Sequence, residues 1–134
     1  MQALRVTEDA SDGAPPLELE GARILLAEDE FLIALGLQME FEERGALVTV
    51  VDSVAAGLEL LHQGFDAAVL DVRLADGDVY PLADALRAAG IGFVFHSGHA
   101  DAGELRERYP GADALSKPVW PTALLKAVVA IGAG

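Results

Sequence analysis

Ile24-Leu25-Leu26-Ala27-Glu28-Asp29-Glu30 opens on an apolar run that ends abruptly in three acids. A short continuous apolar run of this kind is the pattern of a strand buried on both faces, as in a parallel sheet. Such strands deliver their last side chains to the crevice at the carboxyl edge of the sheet. Three further pieces repeat the pattern. Asp71 follows Ala67-Ala68-Val69-Leu70, Ser97 follows Phe93-Val94-Phe95-His96, and Lys117-Pro118 follows Ala114-Leu115-Ser116.

Around these pieces, strand-like and helix-like segments alternate. Strands are expected near Arg23–Ala27, Leu47–Val51, Ala67–Leu70, Phe93–His96 and Ala114–Leu115. Helices are expected near Glu30–Arg44, Ser53–Gln63, Val79–Ala89, Pro121–Ile131 and, as a short fourth helix, Glu104–Tyr109. Gly45, Gly64 and Gly90 stand just past the first three helices, where a left-handed cap belongs. Ser53 suits an N-cap, and Pro121 suits a first helical turn. Five β-α repeats predict a doubly wound α/β domain with a five-stranded parallel sheet of order 2-1-3-4-5. That order makes Glu28 and Asp29 neighbours of Asp71 across the crevice, with Ser97 and Lys117 closing the other side. Residues 1–20, polar and acidic with Asp12-Gly13 and Pro15-Pro16 as breakers, read as a flexible extension, and residues 21–134 as the domain.

Composition narrows the function. A chain of 134 residues with 52% hydrophobic residues supports one domain with one buried sheet. The formal net charge of −13 argues against nucleic-acid and anionic-membrane partners, which want clustered Lys and Arg. The absence of cysteine excludes disulfides and thiolate metal sites. No apolar leader or membrane-length run is present, so a cytoplasmic location is expected. Lys117 and Lys126 are the only lysines, which makes a lysine in the crevice informative.

Clustered carboxylates raise one another's pKa unless a cation neutralises them. Magnesium suits an all-oxygen set completed by water and phosphate, whereas zinc and copper want ligands this cluster lacks. A carboxylate beside such a cation can attack a phosphoryl group and form an acyl phosphate. Lys117 would share the charge on the phosphoryl oxygens and Ser97 would donate a hydrogen bond to one of them. Taken singly, each piece also reads as ordinary helix-start, turn or corner chemistry. Their joint placement at successive strand ends carries the signal.

With these residues in view, the chain resembles the receiver domain of bacterial two-component response regulators over Gly21 to Gly134. The resemblance implies a flavodoxin/CheY-like fold with Asp71 as phosphoacceptor. It also implies a Mg2+ site made by Asp29, Glu28 (through water), Asp71 and the backbone carbonyl of Arg73. Ser97 matches the switch hydroxyl, and Lys117 the phosphate-binding lysine, whose bond to Pro118 is typically cis. Phe95-His96-Ser97-Gly98-His99 and Val79-Tyr80-Pro81-Leu82-Ala83-Asp84-Ala85-Leu86 are similar to segments of single-domain alphaproteobacterial receivers with a Phe-Ala-Thr-Gly-type motif. His96 stands where those have a small residue, and Ala114 stands where many receivers carry an aromatic switch.

What the resemblance implies is a stand-alone, non-enzymatic acceptor that takes its phosphoryl group from a histidine kinase or histidine phosphotransfer protein and signals through a downstream protein partner. A phosphorelay intermediate, a phosphate sink and a degenerate binding module remain alternatives. A haloacid-dehalogenase-like phosphatase would need a second aspartate where Arg73 stands, and an FMN carrier would need a Gly/Ser/Thr-rich loop where the three acids stand. Two surfaces suit partners. On the first helix, Ile33-Leu37-Phe41 is assigned to the core and Leu32-Leu35-Met39 to a partly free face. On the last helix, Trp120, Leu124, Ala127, Val128 and Ile131 form a core stripe. Leu125 and Val129 form an extra ridge there, a candidate homodimer contact. His62 reads as a solvated helix-end residue, and His99 as a residue at the mouth of the site.

Overall fold

The computed structural model describes residues 18–98, 102–117 and 121–133. Strands β1 (Arg23–Ala27), β2 (Leu47–Val51), β3 (Ala67–Leu70), β6 (Gly92–Ser97) and β7 (Ala114–Ser116) form one parallel sheet of order β2-β1-β3-β6-β7. This is the doubly wound order expected for five strands. The numbering is advanced by a small antiparallel hairpin, β4 (Arg73–Leu74) and β5 (Gly77–Asp78). Two-residue strands carry no periodicity, so nothing in the sequence pattern marks this hairpin.

The helices are α1 (Phe31–Glu43), α2 (Val54–Leu60), α3 (Tyr80–Ala88), α4 (Ala102–Arg108) and α5 (Pro121–Ala133). The last turn expected of α2 tightens into a 3-10 turn over Leu61–Gln63, with His62 exposed on it. Gly45, Gly64 and Gly90 take φ of 95°, 81° and 77°, the left-handed conformation that stops a helix at no steric cost. The Ser53 side chain accepts from the Ala56 amide at 3.1 Å and caps α2. Asp76, 22 residues away in the hairpin turn, caps the same helix. Its carboxylate accepts from the Val54 and Ala55 amides at 2.7 and 3.1 Å, and these bonds hold its pKa below the usual aspartate value.

Two buried clusters sandwich the sheet. Leu25, Ala27, Ala68, Leu70, Phe93 and Phe95 face α2, α3 and α4, whereas Ile24, Leu26, Val69 and Val94 face α1 and α5. The alternation along each strand is the period of two that splits a buried strand between two layers. Leu37 and Phe41 of α1 are buried as expected, joined by Ala34, with Ile33 half-buried beside them. Leu32, Leu35 and Met39 are exposed, as is Phe31.

Two expectations are corrected. Leu125 is buried at 5% exposure and Val129 packs half-buried on the same cluster, so the apolar ridge expected on α5 belongs to the core. Helix α5 meets both the sheet and α1, so more of its circumference is covered than one stripe suggests. The packed domain also begins before Gly21. Leu19 is buried, and its amide donates to the Arg44 carbonyl at 2.9 Å. Residues 1–17, His99, Pro118 and Trp120 lie outside the described residues, and so do the expectations made for them.

Candidate phosphoacceptor site

Strand register assembles the site. The ladder continues one step past β1 and β3: the Glu28 amide donates to the Val51 carbonyl and the Asp71 amide to the Ala27 carbonyl, both at 2.9 Å. Leu26, Val69 and Val94 are aligned partners on three adjacent strands. Two residues further along, the same face presents Glu28, Asp71 and His96. All three are buried polar residues, so this is where the sheet's apolar face ends.

Glu28, Asp29 and Asp71 bring one carboxylate oxygen each within 4.8 Å of one another. Asp29 is exposed at the rim. Lys117 reaches across from the end of β7. Its Nζ lies 3.0 Å from Asp71 Oδ2, 3.3 Å from Glu28 Oε1 and 3.2 Å from Glu30 Oε1. Glu28 Oε2 accepts from Lys117 at 3.3 Å and from the Glu30 amide at 3.2 Å. Glu28 Oε1, although close to the ammonium, is buried and accepts no hydrogen bond.

The electrostatics follow from this crowding. Burial, then the hydrogen bond and charge of Asp71, push the Glu28 carboxyl up from 4.5 to about 7, against the Glu30 amide and the Lys117 charge. Burial alone would pull Lys117 down. The hydrogen bond and charge of Asp71, the charge of Glu28 and the bond to Glu30 outweigh it and hold the ammonium well above the usual lysine value. Burial, then the nearby Lys117 charge, pull His96 down from 6.5 to about 4, so its ring is neutral at pH 7.

The residues fit a hard divalent cation such as Mg2+. The donors are carboxylate oxygens close enough to share one ion, and a buried oxygen of Glu28 lacks a hydrogen bond. Arg73 opens the hairpin that follows β3. Its amide donates to Asp71 Oδ1 at 3.4 Å, and its exposed side chain lies 4.0 Å from Asp78. Ser97 is buried at the end of β6, and its carbonyl accepts from the Lys117 amide at 2.7 Å. Among the described residues, its hydroxyl makes no hydrogen bond to the acids. A groove of about 500 Å³ opens beside the acids, lined by Glu28, Asp29, Phe31, Val50 and Asp52 among others.

The structure thus unites Glu28, Asp29, Asp71 and Lys117, and sets Ser97 and Arg73 on the adjoining segments. Sequence reasoning noted His96 only as a departure from a motif. Its place beside Glu28, with Nδ1 at 3.9 Å from Oε1, comes from the register. The signal available was its position two residues past Val94, on the face that also carries Glu28.

Tyr109 was likewise missed. Its ring packs against Phe93, Phe95 and Tyr80 at 5.7, 5.3 and 6.1 Å, and its hydroxyl donates to Asp84 Oδ1 at 2.7 Å. Burial, then the bond to Asp84 and its charge, push the phenol up to about 12, against Arg108. Ala114 packs against the same cluster, so an aromatic from the end of α4 occupies the layer in which residue 114 contributes only a methyl group.

Comparison with solved structures gives receiver domains. A response regulator receiver protein from Sinorhizobium medicae is 33% identical over 87% of this chain and 98% of its own, with a TM-score of 0.79. SdrG from Sphingomonas melonis is 36% identical over 83% of this chain and 96% of its own, with a TM-score of 0.68. The non-phosphorylated HemR receiver domain from Leptospira biflexa is 28% identical over 84% and 95%, with a TM-score of 0.75. No family model and no curated protein matches the chain.

Proposed function

We propose that this chain, which belongs to the response regulator receiver family, accepts a phosphoryl group on Asp71 from a phosphohistidine-bearing kinase or phosphotransfer protein and signals by changing its protein contacts. The observation that carries the reading is the setting of Asp71: buried, at the end of the central strand, beside two acids and 3.0 Å from a lysine. In the transfer, an Asp71 carboxylate oxygen bonds to phosphorus. The P–N bond of the donor imidazole breaks, its electron pair stays on that nitrogen, and a proton from solvent follows.

Lys117 pairs with the phosphoryl oxygens as charge spreads onto them, and the Ser97 hydroxyl donates to one of them. Asp29, Asp71, the Arg73 carbonyl and Glu28, through water, are the groups to hold Mg2+. When bound, that ion neutralises the carboxylates and screens the incoming phosphoryl charge. The chain is consumed once per phosphoryl group and regenerated by hydrolysis, so it is an acceptor and not a turnover enzyme.

The exposed apolar face of α1 supports docking of a helical phosphodonor domain. Phe31 and Leu32 are about three-quarters exposed, 75% and 78%, at the end of α1 that meets the acids. The groove between this helix and β2 opens at the same place. Among the described residues, no helix is long and apolar enough to cross a membrane, and cytoplasmic residence is part of the proposal. The likeness of Phe95–Gly98 to single-domain receivers is a finer reading of the same kind.

The test is phosphoryl transfer from a small-molecule donor in Mg2+, followed by mass spectrometry and hydroxylamine cleavage. One hydroxylamine-sensitive phosphate is expected at Asp71 and none in Asp71→Asn. Wild-type labelling of that variant would end the assignment.

A further inference from the structure

His96 is a buried imidazole on the face of the sheet that carries the acids. Glu28, Asp71 and His96 stand in one row, on β1, β3 and β6, with Asp71 on the middle strand. The longer side chains of Glu28 and His96 meet across the shorter Asp71, bringing His96 Nδ1 to 3.9 Å from Glu28 Oε1.

That oxygen is the unsatisfied one. Glu28 Oε2 has two donors, the Glu30 amide and Lys117, while Oε1, with the Lys117 ammonium 3.3 Å away as an ion pair, accepts no hydrogen bond and is closed off from solvent. A buried carboxylate oxygen without a donor is costly, and the surrounding groups determine which way it turns. The gap to His96 is about 1 Å longer than an N–H···O bond, within reach of a small torsion change in two long side chains. A phosphoryl group on Asp71 draws Lys117 to its own oxygens. Glu28 Oε1 then depends on the imidazole facing it.

We propose that His96 is a positioning residue: its Nδ1–H donates to Glu28 Oε1 and fixes the turn of the Glu28 carboxylate over Asp71. The inference rests on the reading of Asp71 as a cation-assisted phosphoryl acceptor and adds a residue to that site. Groups that orient a ligand from behind typically contribute about tenfold or more to metal affinity.

Nitrogen-15 NMR of histidine-labelled wild-type protein, with His96 assigned through His96→Asn, reads the tautomer directly. A proton on Nδ1 is expected, and a bare Nδ1 overturns the proposal. Titration with magnesium chloride alone gives the second readout. The amide nitrogen of His96→Asn reaches the Nδ1 position, so this variant should bind Mg2+ within about twofold of wild type. His96→Leu and His96→Gln, which leave that position without a donor, should bind about tenfold more weakly. Wild-type affinity in both of the latter variants overturns the proposal. If the leucine variant fails to fold, the tautomer and the Asn/Gln pair still decide. Failure of wild type itself to bind Mg2+ or to label Asp71 would refute the acceptor reading instead, leaving the tautomer to report on the His96–Glu28 contact.

Discussion

Two buried groups of the site should impose opposite pH dependences on folding, and substitution should separate them. Glu28 rises from 4.5 to about 7 in the folded chain, so between these values the folded state holds a proton that the unfolded chain has lost. Its contribution to stability is present at low pH and is lost as pH rises through about 7. His96 falls from 6.5 to about 4, so between these values the unfolded chain holds the extra proton. Its contribution is present above 6.5 and is lost as pH falls toward about 4.

The two slopes are each at most about 1.4 kcal/mol per pH unit and nearly cancel between pH 4.5 and 6.5. Neither shift has the other residue among its causes, because His96 is neutral where Glu28 ionises. Each substitution therefore exposes the remaining group. Relative to wild type, Glu28→Gln should lose roughly 2–3 kcal/mol as pH falls from 6.5 to 4.5, and His96→Asn should gain a similar amount.

Urea unfolding in EDTA at several pH values measures both. At slopes of about 1–3 kcal/mol per molar, the divergence is on the order of 1–2 M in midpoint. Self-repulsion from the net charge, −13 in wild type and one charge less after Glu28→Gln, is nearly common to all three proteins and largely drops out of the differences. A Glu28→Gln profile parallel to wild type would refute the burial argument for Glu28, and a parallel His96→Asn profile would refute it for His96.

Three further outcomes are expected. Asp29→Ala should abolish saturable Mg2+ binding in a calorimetric titration, and an unchanged isotherm removes Asp29 from the ligand set. Tyr109→Phe loses the 2.7 Å bond to Asp84 while leaving the ring stack in place. Because Asp84 is exposed and can rehydrate, the cost should be near the low end for such bonds, about 1 kcal/mol, and the ultraviolet titration near pH 12 should vanish with it. Gly57→Ala would place a Cβ 2.7 Å from Leu82 Cδ2, where α2 meets α3. Overpacking of about 1–3 kcal/mol should lower the thermal midpoint, and a neutral effect would mean that Leu82 moves freely.

The sequence by itself determined the strands, because runs such as Ile24–Ala27 and Ala67–Leu70 are apolar throughout and are followed at once by a polar residue. It also determined where the first three helices stop, through Gly45, Gly64 and Gly90. The β-α alternation then implied the strand order, and with it the meeting of Glu28, Asp29, Asp71 and Lys117. These are local signals plus one topological rule.

What only the tertiary structure decided depends on register and on how many neighbours an element has. That His96 faces Glu28 follows from aligning three strands to the residue, since a slip by one would turn the imidazole to the other layer. That Leu125 is buried follows from α5 being wedged against both the sheet and α1. That Asp76 caps α2 and Tyr109 bonds to Asp84 follows from loops and helix ends meeting across 21 to 25 residues of sequence. No periodicity in the chain records such meetings, because a hydrogen-bonding group carries no local mark of which distant partner the fold will bring to it.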